Sequence, residues 1–139
     1  MRKFKFRLQK VLEYREAMEH WAQEAYLETR VARLEGEAEL VEVHNRRNTA
    51  LKREAASLDE RKQLEMVLQI LDDDERAQGT VVEVLATEEA KAFDVWQEKR
   101  RELEMITKLR EKALQEWIAE ETRHEQKELD EWSILRRGA

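Results

Sequence analysis

Two groups of side chains have the spacing of metal ligands on a helix. Residues four apart share a helix face, so glutamate and histidine at that spacing would present carboxylate and imidazole ligands together. In a chain this rich in glutamate, however, the spacing arises by chance and the side chains are solvated. We therefore expect no metal ion and no other cofactor. The two groups are Glu16, His20 and Glu24, and Glu120, His124 and Glu128.

The chain offers equally little to enzyme chemistry. Its only serines, Ser57 and Ser133, have no histidine and aspartate placed to activate them, and it has no cysteine and no glycine-rich phosphate loop. The acidic run from Asp72 to Glu75 could hold a hard cation, but a solvated surface explains it more simply. Two paired helices also provide no cleft that would raise the pKa of a carboxylate. We predict a protein without enzymatic activity.

The composition indicates which elements this chain can form. Of its 139 residues 42% are charged, three are glycine and none is proline, whereas an ordinary domain is about a quarter charged. Such a chain lacks the turn residues of a β fold and is typical of long solvated helices. It has no run of about 18 apolar residues and no signal sequence, so we expect a soluble intracellular protein. The net charge of −6 argues against binding nucleic acid.

Two apolar seams with heptad spacing predict two helices of a coiled coil. The first seam is broken by Arg15 and Thr29, and the second by Glu89, Lys99 and Arg110. The first runs through Leu8, Val11, Met18, Ala22, Ala25 and Ala32. The second runs through Val82, Leu85, Ala92, Trp96, Leu103, Ile106, Ala113 and Trp117.

The turn between these helices has two candidate positions, Gly79 and the capping-box sequence Ser57 to Glu60. A turn near Ser57 pairs the seams along their length, whereas a turn at Gly79 leaves Leu8 and its neighbours without partners. Burying each such side chain is worth about 1.5 to 3 kcal/mol, but a glycine inside a helix costs only about 1 kcal/mol. We predict a single all-α domain with helix 1 over residues 4–55, a turn at 56–58 and helix 2 over 59–136.

Both ends of the chain meet at one end of this hairpin. Helix 2 would extend about 27 residues, or about 40 Å, beyond helix 1, and this overhang carries Trp132 and Ile134. Exposed apolar side chains on a lone helix suggest docking into a partner. Five cations interleaved with Phe4 and Phe6 also mark the first ten residues, and they suit an anionic membrane or an acidic groove. These cations are Arg2, Lys3, Lys5, Arg7 and Lys10.

At three places the chain resembles the flagellar export protein FliJ family. The opening from Phe4 to Leu12, followed by Arg15, is similar to the start of that family, and residues 96–100 resemble its mid-helix segment. Residues 123–131 resemble its C-terminal signature. The resemblance covers essentially the whole chain. It implies an antiparallel two-helix coiled coil that looks like the rotor stalk of rotary ATPases, without catalytic activity of its own.

The resemblance also implies partners and contact residues. The partners would be the hexameric flagellar export ATPase, the membrane protein of the export gate and export chaperones, and the protein would act in the cytoplasm, peripherally at the inner membrane. A hairpin that closes on itself would, in isolation, be a monomer. The implied ATPase contact comprises Phe4, Phe6, Arg7, Leu8, Trp117, Gln126, Leu129 and Asp130. The implied gate contact comprises Leu40, Val43, Val67 and Leu71, which seam packing would explain equally well.

Two alternative functions stay open at this point. A structural coiled-coil scaffold would have the same composition, and a stable elongated dimer in light scattering would favour it over a closed hairpin. An injectisome counterpart of the same stalk would have the same fold and role. The alternation of Phe4, Phe6 and Leu8 favours the flagellar protein.

Overall fold

The computed structural model describes residues 2–138, which form two α-helices packed against each other. Helix α1 spans Gln9–Leu51 and helix α2 spans Leu58–Arg137. No strand occurs among residues 2–138. The predicted all-α helical hairpin with unequal helices is confirmed. Over the same residues, neither helix has a stretch apolar enough to cross a bilayer.

Contacts divide the chain into two compact units, which are described separately. The terminal unit contains the residues up to His20 and those from Glu98 onwards, and the central unit contains Trp21–Gln97. In the central unit Arg33 pairs with Glu89, whereas the later Arg47 pairs with the earlier Asp72. The two helices therefore run antiparallel there. That the whole chain is a single domain stays a prediction.

The predicted seam of α2 matches the pattern of burial along that helix. Ile106 is 7% exposed, and the other seam residues are half-buried at the same three- and four-residue spacing. The three charged positions that interrupt the apolar pattern belong to the seam as well. They are Glu89, Lys99 and Arg110, and each is half-buried.

The predicted seam of α1 is right at every second position and one residue early at the positions between them. Leu12 is buried, whereas the predicted Val11 is 40% exposed, and Ala25 is exposed. The observed seam contains polar or charged residues at five of its 13 positions. It runs through Leu8, Leu12, Arg15, Glu19, Ala22, Tyr26, Thr29, Arg33, Gly36, Leu40, Val43, Arg47 and Ala50.

Carboxylates of α2 make the arginines of the α1 seam possible. In the terminal unit Arg15 Nη1 donates to Glu102 Oε2 at 2.6 Å, and Lys99 Nζ lies 3.5 Å from the same oxygen. Partly buried charges are tolerated when they are paired and hydrogen-bonded. The predicted seam included Arg15 as an interruption, but it followed the apolar Ala32 instead of the neighbouring Arg33.

Arg33 makes the most extensive of these pairs. Its guanidinium donates to both carboxylate oxygens of Glu89 across the interface and to Glu37 Oε1 at 2.9 Å within α1. The hydrogen bond to Glu89 is the main reason that the pKa of Arg33 is raised above its ordinary value. A raised pKa on a cation stabilises the fold below that pKa, so this contribution persists throughout the ordinary pH range.

The segment between the helices is longer than the predicted turn at residues 56–58. Helix α1 ends at Leu51 rather than near residue 55, and its last turn closes with a bond from Lys52 N to Thr49 O at 3.3 Å. The connection then occupies residues 52–57. An extended residue spans about 3.3 Å, whereas a helical residue rises only about 1.5 Å. A non-helical segment can therefore run alongside more residues of α2 than it contains itself.

This difference in rise shifts the pairing of the two helices in the central unit. A symmetric turn near Ser57 would place Arg47 opposite Val67. Instead Arg47 Nε lies 2.7 Å from Asp72 Oδ1 and 3.8 Å from Glu75 Oε2. His44 Nδ1 is 3.4 Å from Glu75 Oε1. At Arg47 and His44 the partners on α2 are therefore displaced by about one helical turn from those that a symmetric turn would give.

The predicted capping sequence does begin α2. Glu60 N donates to Ser57 Oγ at 3.2 Å, and the Glu60 carboxylate accepts a bond from Ala56 N at 2.8 Å. Both bonds satisfy backbone N–H groups at the helix start, although the second one reaches one residue further back than in an ordinary capping box. Helix α2 then continues without a break through Gly79.

Replacing each of the two helical glycines with alanine is expected to change the stability of the fold differently. No atom lies within 4 Å of a Cβ added at Gly79, whereas one added at the buried Gly36 would lie 2.9 Å from Leu85 Cδ1. Alanine favours a helix over glycine by about 1 kcal/mol. Gly79→Ala should therefore raise the free energy of unfolding by about that amount. Gly36→Ala should give no such increase, because the added methyl group would collide with Leu85. Urea unfolding followed by circular dichroism measures both, and an equal gain from both variants would contradict the close approach at Gly36.

Candidate functional site

The first residues of the terminal unit form an extended segment. Helix α1 begins at Gln9, so the prediction of a helix from residue 4 is wrong. Phe4, Phe6 and Leu8 are half-buried, while the cations between them, Lys5 and Arg7, are exposed. Alternation of period two suits an extended chain, whose successive side chains point to opposite sides. The alternation of Phe4, Phe6 and Leu8 therefore fits a non-helical start of the chain.

Phe4 anchors this segment on α2. Its ring centroid lies 6.0 Å from that of Trp117, and the two rings are tilted by 58°. On α2, the Arg110 guanidinium carbon lies 5.6 Å from the centroid of the Phe4 ring. Aromatic pairs and cation–π contacts each contribute about 0.5 to 1.5 kcal/mol beyond burial. The basic segment is thereby held against α2 with its cations facing outwards.

The segment and α2 together border an open groove of about 550 Å³. Leu109 and Ala113 supply apolar surface to it, and Lys112, Glu116 and Glu120 supply charge. The groove brings together five of the eight residues predicted for the ATPase contact. These are Phe4, Phe6, Arg7, Leu8 and Trp117.

The other three predicted contact residues lie on the last part of α2. Gln126, Leu129 and Asp130 are three and four residues apart, so they share one face of the helix. Every residue from 122 to 138 is exposed. Trp132 is 58% exposed, and Arg136 Cζ lies 4.9 Å from its ring centroid. The predicted lone helix with uncovered apolar side chains is therefore present in the terminal unit, and it also includes Leu135.

The predicted gate residues are mostly seam residues of the central unit. Leu40, Val43 and Leu71 are half-buried, and only Val67 is classed as exposed, at 39%. Beside Val67, the neighbouring Met66 is 67% exposed. The seam explanation weighed for these residues thus fits three of the four. The exposed apolar surface in this region comprises Met66, Val67 and Ile70, so it includes one of the four predicted residues.

Sequence analysis missed an aromatic cluster in the central unit. The ring centroids of Tyr26 and Trp96 lie 5.4 Å apart with nearly parallel planes, and Phe93 is 5.4 Å from Tyr26 in an edge-to-face arrangement. Tyr26 lay outside the predicted α1 seam. No aromatic residue lies seven residues from Tyr26, so the heptad spacing of aromatic residues does not single it out. Arg110, which contacts Phe4, was noted only as an interruption of the second seam.

The candidate metal-ligand trios do not converge in the part of the chain that the structure describes. Among residues 2–138 no three histidine, aspartate or glutamate side chains form a group that could hold a metal ion. His124 Nε2 instead lies 3.2 Å from Glu128 Oε1, its neighbour one turn along the helix. These side chains belong to the solvated charge of the helix surface.

A comparison with models of known protein families matches residues 4–138 to the family described as "Flagellar FliJ protein". The match covers both helices and the extended segment before them. Searches of curated proteins and of solved structures found no match.

Proposed function

The chain belongs to the flagellar FliJ family, and we propose that it is a non-enzymatic component of the flagellar type III export apparatus. Its central task is to bind the hexameric export ATPase and to promote hexamer formation and hydrolysis. The family match over residues 4–138 carries this proposal. The export chaperones and the gate protein are further proposed partners. The protein would act in the cytoplasm, at the inner membrane, through these partners.

The geometry of the terminal unit supports the ATPase contact. A basic extended segment is anchored on α2 through Phe4 and Trp117, and a fully exposed helix end carries Leu129 and Trp132. Exposed apolar residues beside solvated charge are typical of protein–protein contacts. The groove and the exposed helix end together form the proposed contact surface.

We expect the protein to increase both ATP hydrolysis and the hexamer fraction of the purified export ATPase. The variant Gln126→Ala, Leu129→Ala, Asp130→Ala removes the contact face while leaving the seam intact. It should raise the protein concentration needed for half-maximal stimulation by about tenfold, because interface energy is concentrated in few residues. Steady-state hydrolysis and analytical ultracentrifugation measure the two effects.

The matched control uses the opposite face of the same exposed helix. There His124, Glu128 and Glu131 are also exposed, and their triple alanine variant should stimulate the ATPase normally. Equal loss in both variants would indicate a general effect of helix sequence rather than a contact face. No stimulation by the unmodified protein would refute the proposed function.

For the export gate we propose a contact on the outer surface of the central unit, at Met66, Val67 and Ile70. Met66 and Ile70 are 67% and 58% exposed, so they can be covered by a partner without opening the seam. Met66→Ser with Ile70→Ser should weaken binding to the soluble domain of the gate protein. The seam variant Leu40→Val should leave that binding unchanged. If Leu40→Val weakened the binding and the Met66 and Ile70 variant did not, the contact would lie at the seam residues instead.

A further inference from the structure

Helix α1 carries a second apolar stripe, which α2 does not cover. Its members recur at intervals of four and three residues, but they lie about 150° around the helix from the seam. All five are exposed, and Val31 and Val41 are 53% and 58% exposed. We name this set the outer stripe: Leu27, Val31, Leu34, Ala38 and Val41.

The outer stripe has the spacing of a coiled-coil interface. Intervals of four and three residues over residues 27–41 make about two heptads and about 21 Å of helix. The stripe is also indented, because Leu27, Val31 and Ala32 border a shallow groove of about 360 Å³. Four of the five stripe members are large apolar side chains that are 46–58% exposed. The outer stripe therefore has the form of a docking surface for one more helix.

A column of glutamates runs beside the outer stripe. Glu28, Glu35 and Glu42 are spaced by seven residues and are all exposed. Glu28 and Glu35 also border the shallow groove. Arg46 bonds Glu42 at 2.8 Å, which leaves the first two carboxylates as the stronger anionic edge. We name these three residues the glutamate edge.

The glutamate edge argues against antiparallel pairing with a second copy of this chain. In an antiparallel pairing of two outer stripes, residues of the same flank face each other, so each glutamate edge would face another. The opposite flank holds Arg30, Glu37 and His44, and of these Glu37 already bonds Arg33. Like charges at flanking positions disfavour pairing.

We propose that the outer stripe binds an amphipathic helix of another protein whose apolar stripe is flanked by lysine or arginine. The two apolar stripes would bury each other, and the basic flank of the partner would neutralise the glutamate edge. Such charge complementarity determines the choice of partner more than the affinity. This site is separate from the proposed ATPase and gate contacts. It would let the protein hold a helical partner along α1 without opening the seam.

A synthetic helix tests the proposal directly. The probe is a labelled peptide of about three heptads, with leucine at the seam positions and lysine on both flanks. Its matched control carries glutamate on the flanks. Titration with the full chain, followed by fluorescence anisotropy, should give an affinity for the lysine peptide at least about tenfold higher. Raising the salt concentration should weaken the binding, because the flanking charges are exposed.

Paired variants locate the binding. Val31→Gln with Leu34→Gln should weaken binding of the lysine peptide by about tenfold or more, through loss of apolar burial. Val81→Gln with Val84→Gln, on the outer face of α2 where exposure is similar, should leave it unchanged. Glu28→Gln with Glu35→Gln should remove most of the salt dependence. Circular dichroism checks that all variants keep their helix content.

Several results would overturn the proposal. The first is no binding of the lysine peptide, and the second is equal binding of both peptides. The third is equal loss in the α1 and α2 variants, which would indicate general attraction to an acidic protein. The fourth is a dimer of the chain that Val31→Gln with Leu34→Gln abolishes, since the occupant would then be a second copy. The peptide titration is independent of the ATPase assay, so a loss of ATPase stimulation in the variant of Gln126, Leu129 and Asp130 would not change its result.

Discussion

Replacing Ile106 with alanine is expected to lower the free energy of unfolding by about 2 to 3 kcal/mol, because it opens a gap in the seam of the terminal unit. Ile106 is one of only three hydrophobic residues that are buried among residues 2–138; the others are Leu12 and Ala50. Two packed helices have few atoms with which to fill such a gap. Urea unfolding followed by circular dichroism measures the loss, and hydrogen exchange over residues 98–117 locates it.

The neighbouring Met105 supplies the control. It is 69% exposed, so Met105→Ala should change the free energy of unfolding by no more than about 0.5 kcal/mol. The two substitutions remove side chains of similar size from adjacent positions on one helix. Similar losses from both would mean that the seam does not run through Ile106.

Reversing the charge of Glu89 is expected to disrupt the central unit. Glu89→Arg places a second guanidinium opposite Arg33, which now donates to both oxygens of that carboxylate. Two like charges at a half-buried seam position should lower the midpoint of thermal unfolding by about 5 °C or more. Circular dichroism during heating measures the midpoint.

The double variant Arg33→Glu with Glu89→Arg should recover part of this loss. Recovery is incomplete because Glu37, which Arg33 also bonds, would then face a like charge on its own helix. The control is Glu42→Arg at an exposed pair with Arg46, where surface charge contributes little. A double variant no more stable than Glu89→Arg alone would refute a direct pairing across the seam.

The charged seam residues of α1 fix its register against α2, although they bury less apolar surface than apolar residues would. Arg15, Arg33 and Arg47 each have a carboxylate partner on α2. Sliding one helix by a turn would leave these charges unpaired in a half-buried position, which costs far more than the pairs contribute in place. We therefore interpret the three arginine layers as register markers, comparable to single polar residues in other coiled coils.

Much of the candidate site was predictable because its signals are local. The interleaved cations and phenylalanines at the start and the tryptophans near the end are visible in the sequence. Their association was predictable as well, since an antiparallel hairpin with one turn brings both ends together. The anchoring of Phe4 by Arg110 was not predictable, because it requires the residues before the turn at Arg7 and Leu8 to leave the helix and to lie along α2.

The sequence alone determined the number of helices, the position of the α2 cap at Ser57 and the seam of α2, because composition, capping and apolar periodicity are properties of neighbouring residues. Only the tertiary structure decided every second position of the α1 seam and the pairing of the two helices. An arginine reads as a solvent-facing residue until its carboxylate partner is known, and that partner lies on the other helix. The position of the outer stripe depends on the same register, because Val31 and Leu34 face outwards when Arg33 lies in the seam.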